Sequence, residues 1–267
     1  MIENYALVTG ASSGIGLEIS KILAAGGYHL ILVSNQAEIL ESKAKEINEK
    51  YSINCVTFFA DLSRPESCDA LFRFTQENNL NVEVLVNNAG ILLFGELVQL
   101  SPEQTERIIN LHMLTPVKLS RMYAEKMVQN RKGWILNISS ISAVMPYPGI
   151  SLYGPTKTFV RYFSRAIRHE LLSYNVSVTC ALPGATETGL YDPNKINLKL
   201  AKRLGVMHSA EFVAYKAVKA MFKRKAIVTP GLLNKITVVF LPMLPSFIIS
   251  MIHRKTEITK LGQDKLA

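Results

Sequence analysis

Two side chains with complementary acid–base chemistry stand four residues apart, at Tyr153 and Lys157. In a helix this spacing places both on one face. A free phenol, with a pKa of about 10, is a poor acid–base group at neutral pH, but a nearby ammonium favours its phenolate form. Ser140 ends an apolar run thirteen residues earlier, and its hydroxyl can bind a reacting carbonyl oxygen beside the phenol. These residue types predict proton transfer to or from an oxygen-bearing substrate.

A glycine-rich turn near the start of the chain can hold phosphate groups. Residues 9–16 read Thr-Gly-Ala-Ser-Ser-Gly-Ile-Gly and join an apolar run at 5–8 to a helical pattern that reaches about residue 25. Glycines allow close backbone approach, and a helix N-terminus offers unpaired N–H groups with a partial positive charge. The turn therefore predicts a pyrophosphate site, formed by Gly10, Ser12, Ser13, Gly14, Ile15 and Gly16.

Polar residues follow two further apolar runs, where the predicted strands would end. Asp61 and Leu62 follow the run 54–60, and an Asn-Asn-Ala-Gly sequence at 87–90 follows the run 82–86. Ligands of open α/β sheets bind at the carboxyl ends of the strands. We therefore expect Asp61 to accept a hydrogen bond from an adenine amino group. The floor of the crevice is expected to be formed by Asn88, Ala89 and Gly90.

The elements that must position these residues alternate along the chain. Apolar runs predict strands, and the amphipathic stretches between them predict helices. Such alternation implies right-handed crossovers and a parallel sheet covered on both faces. The sequence thus predicts an α/β fold, a Rossmann-type doubly wound parallel sheet of about seven strands. The predicted strands are 5–8, 28–33, 54–60, 82–86, 134–138, 176–181 and 226–228, and the predicted helices are 14–25, 36–50, 65–76, 101–130 and 153–173.

In this combination and order, the motifs resemble those of the short-chain dehydrogenase/reductase family, in its compact single-domain subgroup. The resemblance covers approximately residues 3–230. It implies a dinucleotide-binding domain at 1–230, including a substrate loop at about 185–207, followed by an extension at 231–267. The matching residues are the glycine-rich turn, Asp61, the Asn-Asn-Ala-Gly sequence, Asn110, Ser140, Tyr153, Lys157, Pro183, Gly184 and Thr188.

The resemblance implies a role for each matching side chain. Tyr153 is expected to act as general acid in reduction and general base in oxidation. Lys157 is expected to hold the nicotinamide ribose and lower the phenol pKa, while Ser140 orients the substrate oxygen. Asn110 is expected to anchor a water in a proton relay that reaches Lys157. The residues expected to hold the carboxamide end of the cofactor are Pro183, Gly184, Thr186 and Thr188, of which Thr186 stands where the family often has an aliphatic residue.

The residues after the second predicted strand bear on the choice of cofactor. An acidic residue here usually binds the ribose 2′-hydroxyl of NAD, but the chain reads Ser34-Asn35-Gln36. Ser34 and Asn35 can donate hydrogen bonds to a 2′-phosphate, although the arginine that many NADP-using relatives carry here is missing. We therefore expect NADP as the cofactor, with NAD as the alternative.

Two apolar stretches are expected to line the substrate. Residues 144–147 read Val-Met-Pro-Tyr, and Leu190 and Tyr191 lie in the expected substrate loop. They favour a small hydrophobic carbonyl or alcohol, such as an acyl thioester, a steroid-like or retinoid-like compound, or an aromatic ketone. The basic residues at 195–203 leave two interpretations open: a solvated helix face, or a lid that attracts an acidic carrier protein or coenzyme A.

Composition restricts the remaining function classes. The 267 residues are 48% hydrophobic and 19% charged, which suits one α/β domain with a large core. The excess of Lys and Arg lies at 195–267, so no general nucleic-acid surface is predicted. Cys55, Cys68 and Cys180 lack the spacing of metal ligands, so no metal site is predicted. The N-terminal sequence lacks a signal-peptide pattern, which favours a cytoplasmic protein. The family resemblance implies a homodimer or homotetramer built through the two long helices.

The uncharged apolar segment 236–252 follows Lys235, precedes a basic run at 253–255 and contains Pro242 and Pro245. A membrane-spanning helix needs about 20 residues, and prolines interrupt a helix. Three interpretations remain open. The segment packs in a subunit interface or over the substrate pocket; it makes peripheral contact with a membrane, with its basic flanks on anionic headgroups; or it spans the membrane.

The sequence therefore predicts an NAD(P)-dependent oxidoreductase that transfers a hydride between nicotinamide and the carbonyl or secondary alcohol of a hydrophobic substrate. The alternative is a catalytically silent dinucleotide-binding regulator or scaffold, a class that commonly lacks the tyrosine or the lysine. A sugar-nucleotide epimerase or dehydratase is disfavoured, because those relatives have a different glycine spacing and a separate C-terminal domain.

Overall fold

The computed structural model describes residues 4–187 and 207–255. Its first half contains β1 (Asn4–Thr9), α1 (Gly14–Ala25), β2 (His29–Ser34), α2 (Ala37–Tyr51), β3 (Cys55–Phe59), α3 (Pro65–Glu77) and β4 (Asn81–Asn87). The middle contains α4 (Pro102–Ile109), α5 (Thr115–Gln129), β5 (Gly133–Ile138), α6 (Tyr153–Leu172) and β6 (Val176–Ala181). The last part contains β7 (Ala185–Glu187), β8 (Met207–Ser209), α7 (Ala210–Phe222), β9 (Ile227–Val228), α8 (Leu232–Phe240) and α9 (Ser246–Lys255). Thr188, Leu190, Tyr191 and the basic residues at 195–203 lie outside the described residues.

The main sheet has seven strands in the order β3-β2-β1-β4-β5-β6-β9, and every pair in it is parallel. This confirms the predicted fold class. The strand order reverses at β1, which lies between β2 and β4. Ligands of such sheets bind outside the carboxyl ends of the strands at this reversal. The glycine-rich turn after β1 and the Asn-Asn-Ala-Gly sequence after β4 therefore face one crevice.

Apolar side chains from both faces of the sheet bury it between two helical layers. On one face, α1, α2 and α7 pack through residues such as Ile19, Leu40 and Val218. On the other face, α3 and α5 pack through residues such as Leu71 and Tyr123. Strands covered on both faces need nearly continuous apolar sequence, which explains why the runs predicted these strands well.

The predicted single helix at 101–130 is wrong, because a π-helical turn at Asn110–Leu114 separates α4 from α5. Pro116 lacks the N–H that an α-helix would bond to the carbonyl of His112, so the turn widens. The N–H of Thr115 bonds instead to the carbonyl of Asn110, five residues back. Widened turns of this kind recur at functional sites.

The C-terminal segment forms α8 and α9, and Pro242 and Pro245 lie between them. In the described ranges no helix combines the length and the apolar character that a membrane crossing needs. Eight large apolar residues of α8, α9 and the turn between them are exposed: Leu232, Leu233, Ile236, Val239, Phe240, Met243, Phe247 and Met251. The helix α8 also contacts the 3-10 turn Ile141–Val144 that follows Ser140.

Candidate active site

Glycines shape the turn between β1 and α1. Gly10 and Gly14 have φ angles of +64° and +56°, a left-handed conformation that other residues adopt with strain. A side chain at Gly16 would collide with the carbonyl oxygen of Gly10. Ser13 precedes α1 without a side-chain cap, and the first turn of the helix carries no acidic residue. The helix N-terminus can therefore receive an anionic group.

Asn88 and Thr9 hold the two loops of the crevice together. The side-chain amide of Asn88 donates to the carbonyl of Thr9 at 2.9 Å. The hydroxyl of Thr9 accepts the N–H groups of Asn88 and Ala89 at 2.9 and 3.0 Å, and donates to the carbonyl of Val86. These bonds join the two loops that form the floor of the crevice.

The resulting crevice has a volume of about 470 Å³. It is lined by twelve of the residues predicted to bind the cofactor: Gly10, Ser12, Ser13, Gly14, Ile15, Ser34, Asn35, Asp61, Leu62, Asn88, Ala89 and Gly90. The lining residues that sequence reasoning missed include two polar ones, Gln36 and Arg107. Gln36 directly follows the predicted pair Ser34 and Asn35, whereas nothing in the sequence brings Arg107 of α4 to this edge of the sheet.

One end of the crevice carries hydroxyl and amide groups in a connected network. Ser34 donates to Ser12 at 2.9 Å, and Ser12 donates to the side-chain carbonyl of Gln36 at 2.8 Å. The backbone N–H of Gln36 donates to the hydroxyl of Ser34 at 3.2 Å. Asn35 is exposed beside them at the end of β2. Residues 33–36, which line this end, include no carboxylate.

Asp61 lies at the neighbouring strand end, after β3. Burial acts to raise the pKa of this carboxyl group, but hydrogen bonds from the hydroxyl and N–H of Ser63, together with nearby arginine charges, lower the pKa overall. The guanidinium of Arg107, 3.6 Å from Asp61 Oδ2, acts in the same direction. Asp61 is therefore an ionised acceptor at neutral pH.

A smaller cavity of about 70 Å³ contains the predicted catalytic groups. Ser140, Tyr153 and Lys157 line it together with Pro183, Gly184 and Thr186. It adjoins the larger crevice, because Ile15, Asn88, Gly90 and Ile91 line both. The fold thus places the predicted acid–base residues at one end of the larger crevice.

Lys157 is 5% exposed, and its ammonium donates to the carbonyl of Ile138 at 3.1 Å. The Nζ atom lies 5.7 Å from the centre of the Tyr153 ring. Burial lowers the pKa of Lys157 to about 8. The side chain therefore remains mostly cationic at pH 7, next to the phenol.

The hydroxyl of Ser140 accepts the N–H of Ser142 at 3.1 Å, which fixes its oxygen at the start of the 3-10 turn. An accepted bond leaves the hydroxyl proton able to donate to a substrate oxygen. The hydroxyl of Ser139 donates to the carbonyl of Lys157 at 2.7 Å and ties β5 to α6. Ser140 and the Tyr153–Lys157 face are held in register in this way.

Asn110 occupies the first position of the π turn. Its backbone carbonyl accepts the N–H of Thr115, and no hydrogen bond among the described residues joins it to Lys157. The predicted Asn110 water relay stays a prediction. Gly184 lies against the side chain of Asn234 in α8, where a Cβ would collide, so α8 packs against one of the residues that line the cavity.

Sequence reasoning also missed His112, two residues after Asn110. This histidine is 2% exposed and its ring lies 5.6 Å from the Tyr153 ring, edge to face. Pro116 is the residue that could have indicated this position. It has no N–H to bond the carbonyl of His112, four residues earlier, so it predicts an interruption of the helix there.

Comparison with known proteins relates this geometry to a family. A family model described as short chain dehydrogenase matches residues 4–198. Nodulation protein G of Rhizobium sp. (strain N33) is 33% identical over 194 residues, which are 73% of this chain and 77% of that protein. The very-long-chain 3-oxoacyl-CoA reductase of Rattus norvegicus is 32% identical over 194 residues, 71% of this chain but only 61% of the reductase.

A solved structure is also similar. The short-chain dehydrogenase from Sphingobium yanoikuyae, in complex with NADPH, superposes with a TM-score of 0.78 at 30% identity. The superposition covers 86% of this chain and 88% of that one. At this identity and coverage, the two chains share the same overall fold.

Proposed function

Because the chain belongs to the short-chain dehydrogenase family of oxidoreductases, we propose that it interconverts a hydrophobic ketone and its secondary alcohol with NADP(H). One observation carries the proposal: Ser140, Tyr153 and Lys157 line a single cavity that opens into the nucleotide crevice. A phenol, an ammonium and a hydroxyl at this point suit proton transfer to a carbonyl oxygen.

The residues present fit a dinucleotide. The glycine cradle leaves room that a Cβ would fill, the N-terminus of α1 is available for a pyrophosphate, and Asp61 can accept from an adenine amino group. When bound, the nicotinamide supplies or accepts the hydride. Pro183, Gly184 and Thr186 line the cavity at the end where the carboxamide would lie.

The side chains of the protein transfer the proton and orient the substrate oxygen. The Tyr153 phenol donates its proton to the substrate oxygen during reduction and takes one during oxidation. Ser140 donates a hydrogen bond to the same oxygen and holds it towards the phenol. Lys157, cationic and buried, stabilises the phenolate that remains after proton donation.

The catalytically silent alternative receives no support. Both the tyrosine and the lysine are present, and they share the cavity with Ser140. The rat relative is named as a reductase.

Apolar residues close to Ser140 support the proposed substrate class. Met145 is buried beside the turn that follows Ser140, and α8, with its exposed apolar residues, packs against the same turn. The name of the rat relative refers to a 3-oxoacyl thioester. We therefore place a 3-oxoacyl thioester first among hydrophobic carbonyl compounds, ahead of steroid ketones and aromatic ketones.

The experiment follows NADPH consumption with a panel of these carbonyl compounds. We expect consumption only when a ketone is present, fastest with long-chain 3-oxoacyl thioesters. Failure of the whole panel, with NADPH shown to bind, would reject the proposed function.

NADP is proposed over NAD because this end of the crevice carries the side-chain amides of Asn35 and Gln36, which can donate hydrogen bonds, and lacks a carboxylate. The Asn35→Asp variant places a negative charge at this end and is expected to weaken NADPH binding roughly 10- to 100-fold, with NADH unaffected or tighter. Asn35→Arg is the matched control and should tighten NADPH. Fluorescence titration of both cofactors measures the ratio, and an unchanged ratio in Asn35→Asp contradicts the placement of the 2′-phosphate.

We also propose peripheral contact between 236–252 and an anionic lipid surface. Val239, Phe240 and Phe247 are each more than 60% exposed, and the stretch 195–267 carries 14 basic residues against 3 acidic ones. Apolar insertion flanked by positive charge is the pattern of interfacial segments.

The membrane proposal predicts that the protein sediments with vesicles of phosphatidylcholine and phosphatidylserine, and less with phosphatidylcholine alone. The Phe240→Asp/Phe247→Asp variant should stay in the supernatant. Phe59→Asp is a matched control, because Phe59 and Phe240 are both 62% exposed. Equal sedimentation of all three proteins rejects the proposal. Dissociation of an oligomer by the double variant assigns the surface to a subunit interface instead.

A further inference from the structure

His112 lies at the centre of the π turn, beneath the catalytic cavity. Both of its ring nitrogens have partners. The N–H of Ile91 donates to Nε2 at 3.0 Å, and Nδ1 lies 2.9 Å from the hydroxyl of Thr156. A buried histidine with two such bonds is held in one orientation.

These bonds determine where the proton of the ring lies. Nε2 accepts from Ile91, so it carries the lone pair, and Nδ1 carries the proton in the neutral ring. Nδ1 then donates to Thr156, whose hydroxyl donates onward to the backbone carbonyl of Tyr153 at 2.9 Å. A protonated ring would place a second donor against the N–H of Ile91. Burial, and secondarily the charge of Lys157, lower the pKa of His112 well below its usual value.

The ring also contacts the catalytic residues directly. Its edge-to-face contact with Tyr153 limits how far the phenol can move. Gly90 approaches both His112 and Lys157 so closely that a Cβ at this position would press on the imidazole. The His112 side chain thus contacts the crevice loop at 90–91, and its hydrogen bond to Thr156 connects it to the first turn of α6.

We propose that neutral His112 is a positioning residue, which acts through Thr156 and Ile91 to hold the Tyr153 phenol at a fixed place relative to the cofactor crevice. The inference rests on the proposed function. It extends that function to a residue outside the Ser140, Tyr153 and Lys157 set, in a turn that Pro116 makes possible.

Thr156 offers the cleanest test, because Thr156→Val replaces the hydroxyl that links His112 to Tyr153 with a methyl group of similar size. We expect kcat to fall by about tenfold or more while the dissociation constant for NADPH changes little. Thr156→Ser keeps the hydroxyl and should restore kcat. Wild-type kcat in Thr156→Val, or a parallel loss of NADPH affinity, overturns the proposal.

A second variant tests the ring itself. His112→Phe keeps an aromatic contact with Tyr153 but removes both hydrogen bonds, and the same loss of kcat with retained NADPH binding is expected. If this variant fails to fold, the Thr156 pair still decides the question.

Nitrogen-15 NMR of the histidine rings supplies a readout independent of turnover. We expect His112 to appear as the neutral Nδ1–H tautomer at pH 7, with a change of the Nδ1 signal in Thr156→Val and not in Thr156→Ser. An imidazolium at pH 7, or the opposite tautomer, overturns the proposal even if ketone reduction is confirmed. The two failures can be told apart. If no ketone is reduced, but the predicted tautomer and the change of the Nδ1 signal in Thr156→Val are both observed, then the proposed function fails and the contact from His112 through Thr156 to Tyr153 stands.

Discussion

The Tyr153→Phe variant is expected to lose about 10²- to 10⁴-fold in kcat, the usual contribution of a positioned general acid. Phenylalanine keeps the ring, so its edge-to-face contact with His112 and its packing should persist. It lacks only the oxygen that exchanges a proton with the substrate. Stopped-flow or steady-state measurement of NADPH oxidation, at saturating ketone, determines the loss.

Binding of NADPH to Tyr153→Phe should remain close to that of the wild type, because the glycine cradle and Lys157 are unchanged. Tyr162→Phe is the matched control: it lies on the same helix, α6, with an exposed ring, and should retain full turnover. If Tyr153→Phe turns over at the wild-type rate, the assignment of the phenol is wrong.

Lys157→Met is expected to have two large and opposite effects. Activity should fall by about 100-fold or more, because the variant loses both the charge that stabilises the phenolate and a group that can hold the ribose. Stability should rise. A lysine pKa of about 8 against 10.5 in the unfolded chain corresponds to about 3 kcal/mol of desolvation cost at pH 7. Loss of the hydrogen bond from Lys157 to the Ile138 carbonyl offsets about 1 kcal/mol of this gain in stability.

The contribution of Lys157 to the free energy of unfolding should change with pH. Between pH 8 and 10.5 the unfolded lysine holds a proton that the folded lysine has released. Wild-type stability should therefore gain from Lys157 as the pH rises through this window, and Lys157→Met should lack that gain. Urea unfolding at several pH values measures the difference. An equal pH slope for the two proteins, or a less stable variant at pH 7, contradicts the buried-charge account.

The sequence was most informative where local pattern and tertiary role agree. The strands are apolar because both faces of the sheet are covered, so runs such as 176–181 predicted β6 closely. The Tyr153 and Lys157 spacing indicated the face of α6 that lines the smaller cavity, because residues four positions apart lie on the same face of a helix.

The sequence was less informative where distant segments meet. Arg107 contacts Asp61, and Asn234 packs against Gly184. Each contact joins elements that lie far apart in the sequence, so no local sequence pattern predicts it. The π turn was missed because the apolar periodicity of 101–130 continues through it. Pro116 alone indicated the break, and the position of His112 under Tyr153 follows from that break.

The proposed function depends most directly on whether Tyr153 completes the reduction of a carbonyl group by bound NADPH. Wild-type protein and Tyr153→Phe should each be given NADPH carrying deuterium at the transferable position, together with the ketone that the panel identifies as the best substrate. Mass spectrometry of the product alcohol then measures the deuterium bound to carbon. We predict one deuterium per molecule of alcohol from the wild type and almost no alcohol from the variant. Alcohol that forms equally in both, or that carries no deuterium, would contradict the account.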